Sequence, residues 1–152
     1  MQPQNLWVGI GCQKGSSRQL MLTAIQKVFQ DHQLNENAIA GLATIDTKAS
    51  EVGLIELCRL RNFSLKIFPA EILSTVSVPN PAKIAEKTVG TPSVAEAAAI
   101  LAVSHITPSL TKKQELQIRL LVPKHIFRLQ GEPGAVTIAV AVLQNHSEKI
   151  AN

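Results

Sequence analysis

Asp46, Lys48 and Glu51, with the hydroxyls of Thr44, Thr47 and Ser50 among them, are the residues of this chain best suited to chemistry. They fall where an apolar run, Leu42 to Ile45, breaks into charge before apolar spacing resumes at Gly53 and Leu54. Such a pattern marks a strand handing over to a helix. In open α/β sheets ligands bind at that handover, because the strand's carboxyl end and the helix's unpaired N–H groups face one crevice. A carboxylate there can act as a general base, and the N–H groups can hold an anion. Glu51 alone is accounted for by the first helical turn, where negative charge is favoured. Lys48 is not, since a cation before a helix N-terminus opposes the dipole; an acidic neighbour such as Asp46, or a bound carboxylate, would compensate. The competing reading is a solvated ion-pair cluster.

A second candidate precedes it. The loop Gly9-Ile10-Gly11-Cys12-Gln13-Lys14-Gly15 follows a strand and opens a helix, so its N–H groups could cradle an anion. It lacks the closing Lys-Ser/Thr of a nucleotide-binding loop, and its glycines do not match the dinucleotide fingerprint. The plain alternative is a tight turn with Ser16 or Ser17 capping the helix. Cys12 lies where a helix N-terminus would stabilise a thiolate, but no histidine can be assigned as its base, which favours a small residue filling a turn. Further along, Ser93-Val94-Ala95-Glu96 matches a capping box, and Thr91 stands beside that helix start.

The elements that must position these groups follow from hydrophobic spacing. Leu6 to Ile10 reads as a buried strand, followed by a helix to about Gln30 whose core face is Met21, Ile25, Val28 and Phe29. Ala38 to Ile45 is a second strand, Ser50 to about Arg61 a helix, and Ser64 to Phe68 a strand stopped by Pro69. A short helical piece lies around Glu71 to Leu73, before a loop holding Pro79 and Pro81. Val94 to Ser104, alanine-rich and apolar nearly all round, should be the best-buried helix. Thr111 and Gln114 suggest a capping box for another short helix. Leu116 to Val122 and Ala135 to Leu143 read as strands joined by the turn Gly131-Glu132-Pro133-Gly134. The order implies a three-layer α/β/α fold with a mostly parallel central sheet and an antiparallel C-terminal hairpin.

Composition bounds the function. With 152 residues, 45% apolar, the chain reads as one domain over residues 1–152, with an ordered core of about 6–144. The net charge of +4 favours an anionic partner, but the 15 basic residues are scattered. Aromatics at 3% and no Tyr leave few stacking platforms, which argues against nucleic acid. The expectation is a cytoplasmic protein with no signal and no membrane span, reduced cysteines, and no sequence-local metal motif among its four histidines. A small carboxylate- or phosphate-rich molecule fits at least as well as nucleic acid; a generic nucleotide- or phosphate-binding enzyme is a further alternative.

The glycine loop at Gly9 to Gly15, the Leu42 to Lys48 run with Glu51 and Gly53-Leu54, and Val94 to Ala99 after Gly90 together resemble the CbiG/CobE C-terminal domain family of cobalamin biosynthesis. Leu121-Val122-Pro123-Lys124 and Thr137 to Ala141 resemble its ending, so the likeness covers about residues 7 to 143. It implies an α/β/α domain and a cobalt-precorrin or related corrinoid as ligand, with any cobalt carried within that ligand and no cofactor of the protein's own. Full-length CbiG is a cobalt-precorrin-5A hydrolase, which opens a δ-lactone and releases acetaldehyde. This chain has no counterpart of its N-terminal and middle regions, so it resembles either the isolated C-terminal part or a stand-alone CobE-like carrier of intermediates. Other pathway proteins, or that missing region, would then be partners. On this resemblance Asp46 or Glu51 is the base that activates water. Lys14, Lys48 and the helix starts meet the acetate and propionate arms, with Gly11, Cys12, Gly15, Ser16, Ser17, Thr44, Thr91 and Ser93 completing the binding set.

Overall fold

The structure, a computed structural model, describes residues 4–76, 94–105 and 118–143. The proline loop at Pro79 and Pro81, the Thr91 and Ser93 helix start and the Thr111–Gln114 capping box lie outside them. Strand β1 is Leu6–Cys12, and helix α1, Arg18–Asp31, follows with Ser17 as its cap, the hydroxyl accepting the Leu20 N–H at 3.0 Å. Strand β2 is Ile39–Ile45, helix α2 Val52–Arg61, strand β3 Ser64–Phe68 and the short helix α3 Ala70–Leu73. Helix α4 is Val94–His105, and strands β4, Ile118–Phe127, and β5, Val136–Leu143, close the fold.

The five strands form one sheet in the order β3-β2-β1-β5-β4. The pairs β1–β2 and β2–β3 are parallel, as crossover helices require, and β4–β5 is the expected antiparallel hairpin. What differs is that β5 lies beside β1 and antiparallel to it, so the sheet is evenly mixed rather than mostly parallel. The same pairing extends β1 beyond Ile10, because Gly11 and Cys12 sit opposite Thr137 and Val136. The loop therefore starts at Gln13.

Helices α1 and α2 cover one face. Leu20, Met21, Ile25, Val28 and Phe29 of α1 and Leu54 and Leu57 of α2 pack on Val8, Ile10, Leu42, Ile138 and Val140. Helix α4 covers the other face, where Ala97, Ala98, Ala99, Ala102 and Val103 join Trp7, Ala43, Phe68, Leu73 and Ala141. The alanines matter because they let helix and sheet approach closely: a Cβ on Gly9 would run into the Ala95 carbonyl. With Ala95 to Ala99, Ala102 and Val103 buried, α4 is buried on nearly every side, as its composition implies.

Strand β4 runs through Pro123, which was expected to lie beyond its end. It is an edge strand, and its pairing slips between Leu120 and Val122 and again between Val122 and His125. A proline is tolerated at such a bulge, where no ladder N–H is needed. The bulge also frees the Lys124 N–H, which donates to Glu96 Oε2 at 3.0 Å; Glu96 itself is fully buried. In α2 the helix begins at Val52, later than Ser50, because Asp46–Lys48 first makes a separate 3-10 turn.

Candidate functional site

The carboxyl ends of β1 and β2 bring the two charged segments together through one contact. The Gly15 N–H donates to Glu51 Oε1 at 3.1 Å, tying the loop after β1 to the segment after β2 across 36 residues of chain. Gly15 has φ +83, a left-handed conformation that glycine adopts without strain. Glu51 stands as the residue before α2 and makes no side-chain bond to its own helix. It stands one residue before the first helical turn rather than within it, still at the helix's positive end, and its carboxylate also closes the junction between two loops.

Below that junction the starts of α1 and α2 pack directly. A Cβ on Gly53 would come within 2.6 Å of the Ser16 carbonyl oxygen and 2.9 Å of the Arg18 nitrogen, so only glycine allows the approach. Between them opens a hollow of about 510 Å³ lined by Lys14 to Arg18, Ser50 to Gly53 and Glu56. Two helix N-termini give it positive potential, Lys14 and Arg18 add cations, and Glu51 and Glu56 offset part of it. No side chain caps the first turn of α2, which leaves its N–H donors available. Gly53 was named from sequence only as part of the run after Glu51, and Arg18 and Glu56 were not named at all. Arg18 could have been, since it opens a helix next to a named segment.

The expected hydroxyls are committed elsewhere. Ser16 is buried, its Oγ 2.8 Å from the Gln13 carbonyl and 3.2 Å from that of Ala135, and it closes the loop onto β5. Ser17 caps α1 and donates to Glu132 Oε1 at 3.0 Å. Thr44 is fully buried and donates to the Ile10 carbonyl at 2.6 Å, tying β2 to β1 away from the hollow. Gly11 and Cys12 belong to β1 rather than to the hollow's wall.

Cys12 lies close enough to Lys48 and Glu51 to feel both. Burial pushes its thiol above the ordinary value of 9.0; Lys48 pulls it down and Glu51 raises it further. The net direction is upward, so the thiol is protonated at neutral pH, which supports the small-residue reading of Cys12 over the nucleophile. The compensation expected between Lys48 and Asp46 does not take the form of an ion pair, as those among the described residues are Lys27–Asp31 and Arg61–Glu36. Lys48 is half-buried and Asp46 exposed on the 3-10 turn, neither lining the hollow. Thr91 and Ser93 lie outside the described residues. Among those residues, no group of three or more His, Cys, Asp or Glu is placed to hold a metal ion, and no helix is long and apolar enough to cross a membrane.

Comparison with known proteins identifies relatives of the chain. A cobalt-precorrin-5A hydrolase of Priestia megaterium is 28% identical over 121 residues, 80% of this chain and 32% of the relative. The enzyme of the same name from Salmonella typhimurium strain LT2 is 31% identical over 100 residues, 65% of this chain and 28% of the relative. The chain thus spans about a third of the length of the curated relatives it matches. The crystal structure of CobE, a protein from the cobalamin biosynthetic pathway, superposes with a TM-score of 0.73 at 26% identity, covering 93% of this chain and 92% of that one. The family model described as cobalamin synthesis G C-terminus matches residues 6–141, and the chain belongs to that family of cobalamin biosynthesis proteins.

Proposed function

We propose that the protein binds a cobalt-precorrin intermediate at the carboxyl ends of β1 and β2 and contributes to opening the δ-lactone of cobalt-precorrin-5A with release of acetaldehyde. The observation that carries this reading is the Gly15–Glu51 hydrogen bond, which joins two loops that are remote in sequence. Support also comes from the named activity of the relatives. The hollow, at about 510 Å³, suits a peripheral acetate or propionate arm better than a whole macrocycle, so the ring would lie across its mouth. N–H groups at the start of α1, Lys14 and Arg18 would meet the arm's carboxylate, with Lys48 beside the ring.

Lactone opening requires a base to take a proton from water and donors for the tetrahedral oxyanion; loss of acetaldehyde then requires deprotonation of the freed hydroxyl. Asp46 suits the base better than Glu51, whose Oε1 already accepts the Gly15 N–H. The backbone N–H groups at the start of α2 suit the oxyanion. Asp46→Asn should therefore abolish acetaldehyde release while leaving corrinoid binding within a few-fold.

A second reading is a non-catalytic carrier of corrinoid intermediates; the similarity to CobE, a protein from the cobalamin biosynthetic pathway, is compatible with it. Measuring acetaldehyde release from cobalt-precorrin-5A with this chain, against a full-length hydrolase as control, distinguishes the two. Binding without turnover favours the carrier; neither binding nor turnover removes both.

A further inference from the structure

At the other end of α1, away from the hollow, two histidines from different elements face each other. His32 caps the C-terminus of α1 and His125 projects from β4; their ring centroids are 5.6 Å apart with planes inclined at 65°. We propose that this pair is a binding site for a late first-row divalent cation, of the Ni²⁺, Cu²⁺ or Zn²⁺ class, with water completing the coordination.

Three observations support it. First, His32 Nδ1 is 3.1 Å from the Val28 carbonyl oxygen, an acceptor only, a contact that selects, in the neutral ring, the tautomer with its proton on Nδ1 and its lone pair on Nε2. Metal-ligating histidines are fixed in this way by a backbone carbonyl behind them. Second, the spacing is right. Metal–nitrogen bonds of about 2.0–2.1 Å put two imidazoles on one ion roughly 5 to 6 Å apart, centre to centre. Third, the position favours a cation. The α1 terminus carries no basic residue in its last turn, so no side-chain cation of that turn repels a bound ion at the helix's negative end.

Both rings are exposed, which leaves room for water ligands, and Phe127 lies 6.4 Å from His125 on the strand side. The pairing of a helix end with an edge strand means that a bound ion would clamp α1 to β4. Imidazole donors favour this class of cation over Mg²⁺ or Ca²⁺, which prefer oxygen.

The test is calorimetric titration of Ni²⁺ alone into the full chain, with His32→Gln and His125→Gln as variants and Mg²⁺ as the control ion. The proposal expects one saturable site, at least tenfold weaker in each variant, and no Mg²⁺ binding. As an independent readout, substoichiometric Cu²⁺ should broaden the imidazole NMR signals of His32 and His125 together. Absence of Ni²⁺ binding, binding that survives either substitution within tenfold, or broadening of only one of the two rings would overturn it. Because both side chains are exposed, the variants should keep the wild-type urea midpoint; a variant that did not would be replaced by His→Asn at the same position, read by the same NMR signals.

Discussion

Cys12 reports on the electrostatics of the junction more directly than any other side chain. Its thiol is raised by burial and by Glu51 and lowered by Lys48. The pH profile of iodoacetamide alkylation should accordingly have its midpoint above 9.0, move further up in Lys48→Met and move down in Glu51→Gln. Opposite shifts would mean that neither charge faces the thiol. The same shift has a consequence for stability. A thiol raised on folding loses its proton more readily in the unfolded chain, so stability is fully present below the unfolded value and is lost as pH rises through the folded one. Burial raises Cys58 too, and urea midpoints should decline above about pH 9, less steeply in a Cys12→Ser, Cys58→Ser variant. Thr44 gives the contrasting case. Sequence placed its hydroxyl among ligand groups, but the strand face it occupies turns it inward onto the Ile10 carbonyl. Thr44→Val should cost about 1 kcal/mol of unfolding free energy and leave corrinoid affinity unchanged. A large loss of affinity without a loss of stability would return Thr44 to the site.

At the level of elements, most strands and helices were legible because their hydrophobic spacing and their stops agree. Val8, Ile10 and Leu42 are buried in strands, Met21, Ile25, Val28 and Phe29 form a helical face, and Pro69 ends β3. What sequence did not reveal is pairing at a distance. Nothing local in Val136 to Leu143 says that it will lie beside β1, and that choice both lengthens β1 to Cys12 and moves the start of the glycine loop. The bulge that admits Pro123 into β4 is hidden for the same reason, as is the use of the Glu96 carboxylate on the Lys124 N–H. Close approach by glycine is likewise a property of the partner. Gly9→Ala would force α4 off the sheet, since the new methyl meets the Ala95 carbonyl. We expect a loss of at least about 3 kcal/mol in urea unfolding, at the upper end for an overpacked core, and a value below about 1 kcal/mol would contradict the packing described.

Taken whole, the molecule is a three-layer domain whose helices α1 and α2 both start at the same end of the sheet, above the strands that precede them. The charged segment at Asp46 to Glu51 stands out in the sequence as charge at a strand-to-helix handover. Its contacts do not, since they depend on Gly15 reaching Glu51 and on Lys48 facing Cys12. The hollow arises only when Gly53 lets the two helix starts touch. The central claim, that this end of the sheet receives a corrinoid, is tested most directly by titrating cobalt-precorrin-5A into the protein and following the corrinoid's visible spectrum. The account predicts a saturable shift at tens of micromolar or below, weakened at least tenfold when Lys14 and Lys48 are both replaced by Glu. No shift in that range, or a shift indifferent to the double substitution, would contradict it.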